Sequence, residues 1–321
     1  MKKLILPLAL FCVAILGACK KPAPSPGSSK QEEIRVAYAP VVLNAPLFLA
    51  QDRGIFQANN LKLDAKVFTS ANDMINAIVA DQVDAVTGVS LVPVLHLAAE
   101  APGKIRVILH SRMVEDQVYD GLVVKNDSPI QKLEDLREHK VGIYPGTTAL
   151  NLMKAFLKTK GIDPAAVNFV PLPPASHVSA LQSGAIDALL AYEPTLTTLL
   201  QQPGFRRIHG SIFVAMLSPS PISSTVIARR FEREHPGASV GFVKTLDQAI
   251  QGVRSDPTAA RNAITAHTKL PAEVGSHVNL IADTLSTETD VANLQSFIDL
   301  LVQMGELQKT VSAKDLLAPT Q

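Results

Sequence analysis

KVGIYPGTTALNLMKAFLKTKGI, residues 140–162, decides how this chain folds. Residues 141–144 read as a short buried strand, and Pro145-Gly146 is a turn signal. Leu150, Met153, Phe156 and Leu157 then recur on one helical face. Thr147 and Thr148 stand where an N-cap belongs, with hydroxyls that can accept from the free N–H groups of the first turn. Gly161 stands where the helix should stop. The stretch is strand, tight loop, helix, with the helix N-terminus at the carboxyl end of the strand. Open α/β sheets bind ligands at that end. The unpaired N–H groups and the positive end of the helix dipole favour an anion or a strong acceptor there.

The same order of elements precedes this stretch. Residues 34–38 (IRVAY) read as a strand, and Pro46 suits the first turn of a helix, where its missing N–H costs nothing. A strand (61–68), a helix (70–81) and another strand (83–86) follow. From residue 141 the series repeats, with strands at 167–170 and 186–189 around a helix at 176–183. INAIVADQVDA (75–85) aligns with VSALQSGAIDA (178–188), with Ala77/Ala180, Asp84/Asp187 and Ala85/Ala188 identical. Both aspartates read as structural. Two βαβαβ units predict two α/β lobes with parallel sheets; one larger doubly wound sheet is the alternative. Residues 125–131 and 217–224 bracket the second unit and read as the crossings between lobes. From residue 231 the pattern is helical and is expected to return to the first lobe. The expected organisation is a leader (1–18), a tether (19–33), a first lobe (34–125 plus 222–321) and a second lobe (126–221). Two doubly wound lobes on a two-crossing hinge enclose a cleft.

Composition narrows the function. The chain has 321 residues, 47% hydrophobic, with a formal net charge of +1, so a large core is available and no basic nucleic-acid surface is indicated. Trp is absent and aromatics are 5%, which argues against a stacking platform for bases. Lys2 and Lys3 precede an apolar run at 4–16 that is too short to span a bilayer and fits a secretory signal. It ends in LGAC (16–19), which resembles a bacterial lipobox and implies cleavage before Cys19 and acylation of its thiol; an ordinary signal with a chance Cys is the alternative. Cys12 leaves with the leader, so the folded part holds no disulfide. Residues 20–33 are rich in Pro, Ser and Lys and read as a flexible tether. HExxH, P-loop and GxGxxG motifs are absent, and the eight His residues lack metal-ligand spacing. A binder without cofactor or metal, not an enzyme, is expected.

APLFLAQDRGIF (45–56), VDAVTG (83–88), GLVVKNDSPIQKLEDL (121–136), KVGIYPGTTA (140–149), VPLPPA (170–175), LQSGAIDALLAYEP (181–194) and TVIARRFEREHP (225–236) carry a family resemblance. The chain resembles the substrate-binding lipoproteins of ABC importers, in the branch that takes nitrate, alkanesulfonates, taurine and thiamine precursors. One departure is Glu138-His139, where the family usually has a Gly before the basic residue. The resemblance implies a type II periplasmic-binding fold that closes on a small solute and presents it to a permease coupled to an ATPase. It implies a monomer on the periplasmic or extracellular face, held to the membrane through Cys19. The alternatives are a sensor or surface lipoprotein on the same fold, or an enzyme like the thiamine-pyrimidine synthases, whose cysteine-rich segment this chain lacks.

The resemblance also implies that ligand contacts lie on loops at strand ends: 41–45, 69–70, 88–90, 144–148 and 191–194. Gly146, Thr147 and Thr148 offer backbone N–H groups and hydroxyls. Ser70 and Ser90 mirror them in the first lobe, and Asn44 offers an amide. Tyr119, Tyr192 and Tyr38 are candidates for an aromatic wall. Glu193 either accepts from an amine on the solute or caps its own helix, and Arg112, after a strand, is a weaker candidate for an anion.

Overall fold

A computed structural model describes residues 31–145, 147–317 and 319. The strands in chain order are β1 (Glu32–Tyr38), β2 (Leu61–Val67), β3 (Ala85–Ser90), β4 (Ile105–Met113), β5 (Asp120–Lys125), β6 (Lys140–Ile143), β7 (Asn168–Pro171), β8 (Ala188–Tyr192), β9 (Phe205–His209), β10 (Ser220–Ala228) and β11 (Ala282–Asp283). They form two sheets, β11-β4-β10-β3-β1-β2 and β7-β6-β8-β5-β9. In the first, β1 runs parallel to β2 and β3, while β10 is antiparallel to β3 and β4. In the second, β6 runs parallel to β7 and β8, while β5 is antiparallel to β8 and β9. The series β2-β1-β3-β10-β4 therefore repeats as β7-β6-β8-β5-β9.

Each sheet receives its antiparallel strand from the other: β5 follows β4, and β10 follows β9. The sheets are mixed, not parallel as expected, because each is entered once in the reversed direction. This exchange also moves the crossings. Residues 121–125 were expected in the first lobe, but β5 lies between β8 and β9 of the second sheet. The first crossing is residues 114–119, and residues 126–130 form a turn inside the second lobe, closed by Ser128 N–H donating to Lys125 O (3.1 Å). The second crossing is residues 210–219, and most of the Pro/Ser stretch 218–224 is strand β10. The crossings run side by side, since Met113 pairs with Ser220 and Leu122 with His209.

The internal repeat is visible at atomic detail. β3 begins at Ala85 and β8 at Ala188, the aligned residues. The aspartates before them make one clamp. Asp84 N–H donates to Arg35 O (2.8 Å) and its carboxylate accepts from Arg35 N–H (3.0 Å). Asp187 N–H donates to Lys140 O (2.8 Å) and its carboxylate accepts from Lys140 N–H (2.8 Å). Each clamp fixes the register where a parallel pair begins, and a parallel pair has no hairpin to fix it.

The helix Thr147–Thr159 follows β6. Met153, Phe156 and Leu157 are fully buried in the second core with Val141, Ile143, Leu122 and Leu190. Gly161 ends it at φ +72°, a left-handed position that glycine occupies without strain. Leu152, on another face of the helix, packs with Leu294, Leu301 and Leu307 in the first core. The helices Pro236–Ser255 and Pro257–Thr268 close over Ala45–Asp52 beside the first sheet, burying Phe48, Leu49, Val253 and Ile264 together. Among the described residues, β11 has no counterpart in the second sheet. It adds two residues to the outer side of β4, pairing Asp283 with Ser111.

Candidate functional site

The carboxyl end of the first sheet is polar. After β1 the chain makes a short turn, Val42–Asn44, and the helix Ala45–Asp52 starts with Pro46 in its first turn. Asn44 is 1% exposed. Its Nδ2 donates to Ala39 O (2.8 Å), and its Oδ1 has no partner among the described residues. The amide lies against Gly88 of β3, where a Cβ would sit 2.6 Å from Oδ1; Gly88 also has φ +58°. Only glycine satisfies both conditions. Two residues on, Ser90 ends β3. It pairs with Ser223 of β10, which pairs with Ser111 of β4, which pairs with Asp283 of β11. Directly paired residues share a face, so these four side chains form a row across the sheet. Ser223 Oγ donates to Ser111 Oγ (2.9 Å), and Ser111 Oγ donates to Asp283 Oδ1. Burial pushes the Asp283 carboxyl up to about 7, although Ser111 and the Arg254 guanidinium favour its charged form.

The carboxyl end of the second sheet is aromatic. Tyr144 after β6 meets Tyr192 of β8 edge to face at 5.1 Å, and Tyr192 meets Tyr119 of the first crossing at 5.5 Å. Burial raises the phenol pKa of all three, so they are neutral hydroxyls. His177 lies edge-on to Tyr144 at 5.1 Å and is fully buried. Burial lowers its pKa, so the ring is neutral. Its Nε2 lies 2.8 Å from Leu172 O, which only accepts, so Nε2 carries the proton. Nδ1 is left as an acceptor with no partner among the described residues.

The two ends are tied together. Asp120, fully buried at the start of β5, accepts from Ser211 Oγ (2.5 Å) and Ile212 N–H (2.9 Å) on the second crossing. Burial pushes its carboxyl up to about 7 against those hydrogen bonds. Glu193, 1% exposed, accepts from Thr197 Oγ1 (2.9 Å) in its own helix and from Asn279 Nδ2 (2.5 Å) in the segment before β11. Burial raises its pKa, and the bonds from Thr197 and Asn279 oppose the shift. Asn151 Nδ2 donates to Glu306 in the C-terminal segment.

Several expected residues stand elsewhere or are otherwise engaged. Cys19, Gly146 and the side chains of Thr147 and Thr148 lie outside the described residues. Ser70 caps the helix Ala71–Val79, accepting from Asp73 N–H (3.1 Å) and donating to Asp73 Oδ2 (2.7 Å). Glu193 does cap its helix, and its oxygens are taken up by Thr197 and Asn279. Arg112 lies inside β4, not after it. Tyr38 packs edge-on to Phe48 at 5.8 Å and shares that apolar cluster with Tyr119. Asn44, Ser90, Tyr119 and Tyr192 do stand at the facing strand ends. Ser111, Ser223, His177, Asp120 and Asp283 escaped the sequence reading. Two surface hollows, of about 440 and 650 Å³, lie on the outer flanks at residues 67–82 and 150–169. The first includes Thr69 of the expected loop 69–70, and the second includes none of the expected loops.

Comparison with known proteins agrees with this architecture. A protein of Bacillus subtilis (strain 168) named for binding aliphatic sulfonates is 23% identical over 316 residues, covering 96% of this chain and 92% of its own. The taurine-binding periplasmic protein of Escherichia coli (strain K12) is 30% identical over 139 residues, covering 43% of this chain and 42% of its own. The crystal structure of the periplasmic aliphatic sulphonate binding protein SsuA from Escherichia coli superposes with a TM-score of 0.73, at 19% identity, over 90% of this chain and 93% of that one. The fold is thus that of the type II periplasmic binding proteins. Residues 27–268 match the NMT1-like family, and this chain belongs to it.

Proposed function

We infer that this protein is the extracytoplasmic solute receptor of an ABC importer. It captures a small organic or oxyanionic solute, of the sulfonate, taurine, nitrate or thiamine-precursor class, at the junction of its two sheets. It then delivers that solute to a permease driven by an ATPase. One observation carries this reading: two sheets of matching topology are joined by two adjacent crossings, and Glu193 at the carboxyl end of β8 accepts from Asn279 of the first lobe. The lobes of the receptor are residues 32–113 plus those from 220, and residues 120–209. Relatives named as binding proteins for sulfonates and taurine support the substrate class.

The geometry suits capture without chemistry. Opening about residues 114–119 and 210–219 separates the serine row from the tyrosines. Closure returns a solute to a buried site between an aromatic wall and a polar one, where hydrogen bonds gain from the loss of water. Glu193–Asn279 and Asn151–Glu306 hold the two lobes together in the described structure. Breaking the Glu193–Asn279 and Asn151–Glu306 contacts offsets part of the binding energy. Acylation at Cys19 holds a monomeric receptor at the outer face of the membrane; the tether ends before residue 32, not at 33 as expected, because Glu32 and Glu33 already pair with Leu61 and Lys62 in the first sheet.

The test is a thermal-shift screen of taurine, ethanesulfonate, nitrate, pyrimidines and aromatic acids on the purified protein, followed by small-angle scattering. A solute at 100 times its dissociation constant stabilises the fold by about 2.7 kcal/mol. The reading expects one such solute, and a smaller radius of gyration with it than without. No stabilisation by any of these probes, with an unchanged radius, contradicts it.

A further inference from the structure

Two of the buried unpartnered atoms, one near each sheet's carboxyl end, share a chemistry; the unpartnered hydroxyls of Thr87 and Ser224 stand one residue away from Gly88 and Ser223 along their strands, where successive side chains alternate faces. Asn44 Oδ1 and His177 Nδ1 are buried, lack partners among the described residues, and are both acceptors. One belongs to the first sheet's end and one to the second's. A third acceptor is set by the serine row. An ionised carboxylate only accepts, so Asp283 fixes the direction of the chain: Ser111 donates to Asp283, and Ser223 donates to Ser111. The single hydroxyl proton of Ser223 is then committed. Towards Ser90 and the junction, Ser223 presents only lone pairs. A buried acceptor left unsatisfied is costly, so an occupant that brings donors gains where one that brings only acceptors does not.

We propose that the junction selects its solute by hydrogen-bond donors, and that Asp283 is the positioning residue that sets this polarity through Ser111 and Ser223. The solute class is a small organic molecule carrying N–H groups, such as a primary amine, an amide or an amino-substituted ring. The tyrosines cover its flat or alkyl part. This rests on the receptor reading above and narrows it. It also gives β11 a purpose: the two-residue strand with no counterpart among the described residues of the second sheet brings the carboxylate to the end of the row.

Matched probes that differ in one donor test this: taurine against ethanesulfonate, and 4-aminopyrimidine against 4-methylpyrimidine, titrated calorimetrically. The expected result is that the amino member of at least one pair binds about tenfold or more tightly than its partner, the size of one well-made hydrogen bond in a buried site. Ser223→Ala and Asp283→Ala each remove most of that preference. Asp283→Asn, which keeps an acceptor for Ser111, retains more of it than Asp283→Ala. Because the readout is a ratio of two affinities, a general loss of folded protein does not imitate it.

A pH profile separates positioning from support. Asp283 faces Ser111 of β4, with Arg254 beside it, Glu288 and Asp247 around that guanidinium, and Arg112 next to Ser111. His110 is held down to about 4 by burial and stays neutral across the window. Below pH about 7 Asp283 takes up a proton and can donate to Ser111, so the row can reverse and the amino preference falls. That pH dependence disappears in Asp283→Asn and persists in Asp120→Asn. Tighter binding of the donor-free members, or an undiminished amino preference in Asp283→Ala, overturns the proposal. If no probe of either kind binds, the receptor reading itself fails.

Discussion

Replacing Asp120 by Asn tests how the second crossing is anchored to β5. The Asp120 carboxyl is fully buried and pushed from its ordinary value of 3.8 up to about 7. Between those values the folded state holds a proton that the unfolded chain has lost. Its contribution to stability is therefore complete below pH about 4 and lost as pH rises through about 7. At about 1.4 kcal/mol per unit, the two units between pH 5 and pH 7 amount to roughly 2–3 kcal/mol. Asn is nearly isosteric: its Oδ1 can accept from Ile212 N–H, and its Nδ2 can donate to Ser211 Oγ, so both bonds survive without a charge to bury. Urea titrations at pH 5 and pH 8 should show the variant losing less stability over this interval than the wild type, by roughly 2–3 kcal/mol. Asp283, with its carboxyl also pushed up to about 7, adds a similar slope to both proteins, and the lowered pKa values of His110 and His177 act in the opposite sense in both. The comparison between variants isolates Asp120. Equal pH dependence in the two proteins, or a variant weakened equally at both pH values, refutes the reasoning.

Gly88→Ala places a Cβ 2.6 Å from Asn44 Oδ1 at φ +58°, so a loss of about 1–3 kcal/mol and weaker solute binding are expected; a variant as stable as the wild type in urea contradicts this. Asp187→Ala removes one clamp on Lys140 N–H and should cost about 1–2 kcal/mol, whereas Asp84→Ala also strips Arg35 and Arg230 of their carboxylate and should cost more, about 3 kcal/mol. Equal losses would show that the ion pairs add nothing. Glu193→Gln turns an acceptor towards two donors into a mixed group, so the Asn279 contact weakens; scattering should show a larger radius of gyration without solute, and an unchanged radius counts against Glu193 as a tie between lobes.

The sequence carried the repeated unit because local rules write it. Buried stripes such as Met153, Phe156 and Leu157, the glycine stop at Gly161 and the Ala85/Ala188 alignment depend on neighbours within a turn or two. The sheet that receives β5 does not. GLVVK has the same apolar character in either lobe, and only contacts far along the chain decide that it pairs with β8 and β9. Ser223 was hidden because its stretch has the composition of a loop; as a strand it is stable because Ser111 satisfies its hydroxyl. Asp283 had no signal, since a two-residue strand shows no periodicity. Glu193 was legible in both of its meanings, and the structure puts its carboxylate to use as a cap and as a contact with Asn279.

The most direct measurement is a crystal structure with the tightest-binding probe of the amine and amide set. The account predicts density between the carboxyl ends of β1 and β3 on one side and β6 and β8 on the other, with the probe's N–H groups on Asn44 Oδ1 or Ser223 Oγ and its body against Tyr192. A probe held instead in the flank hollow at residues 67–82 or 150–169 would contradict it.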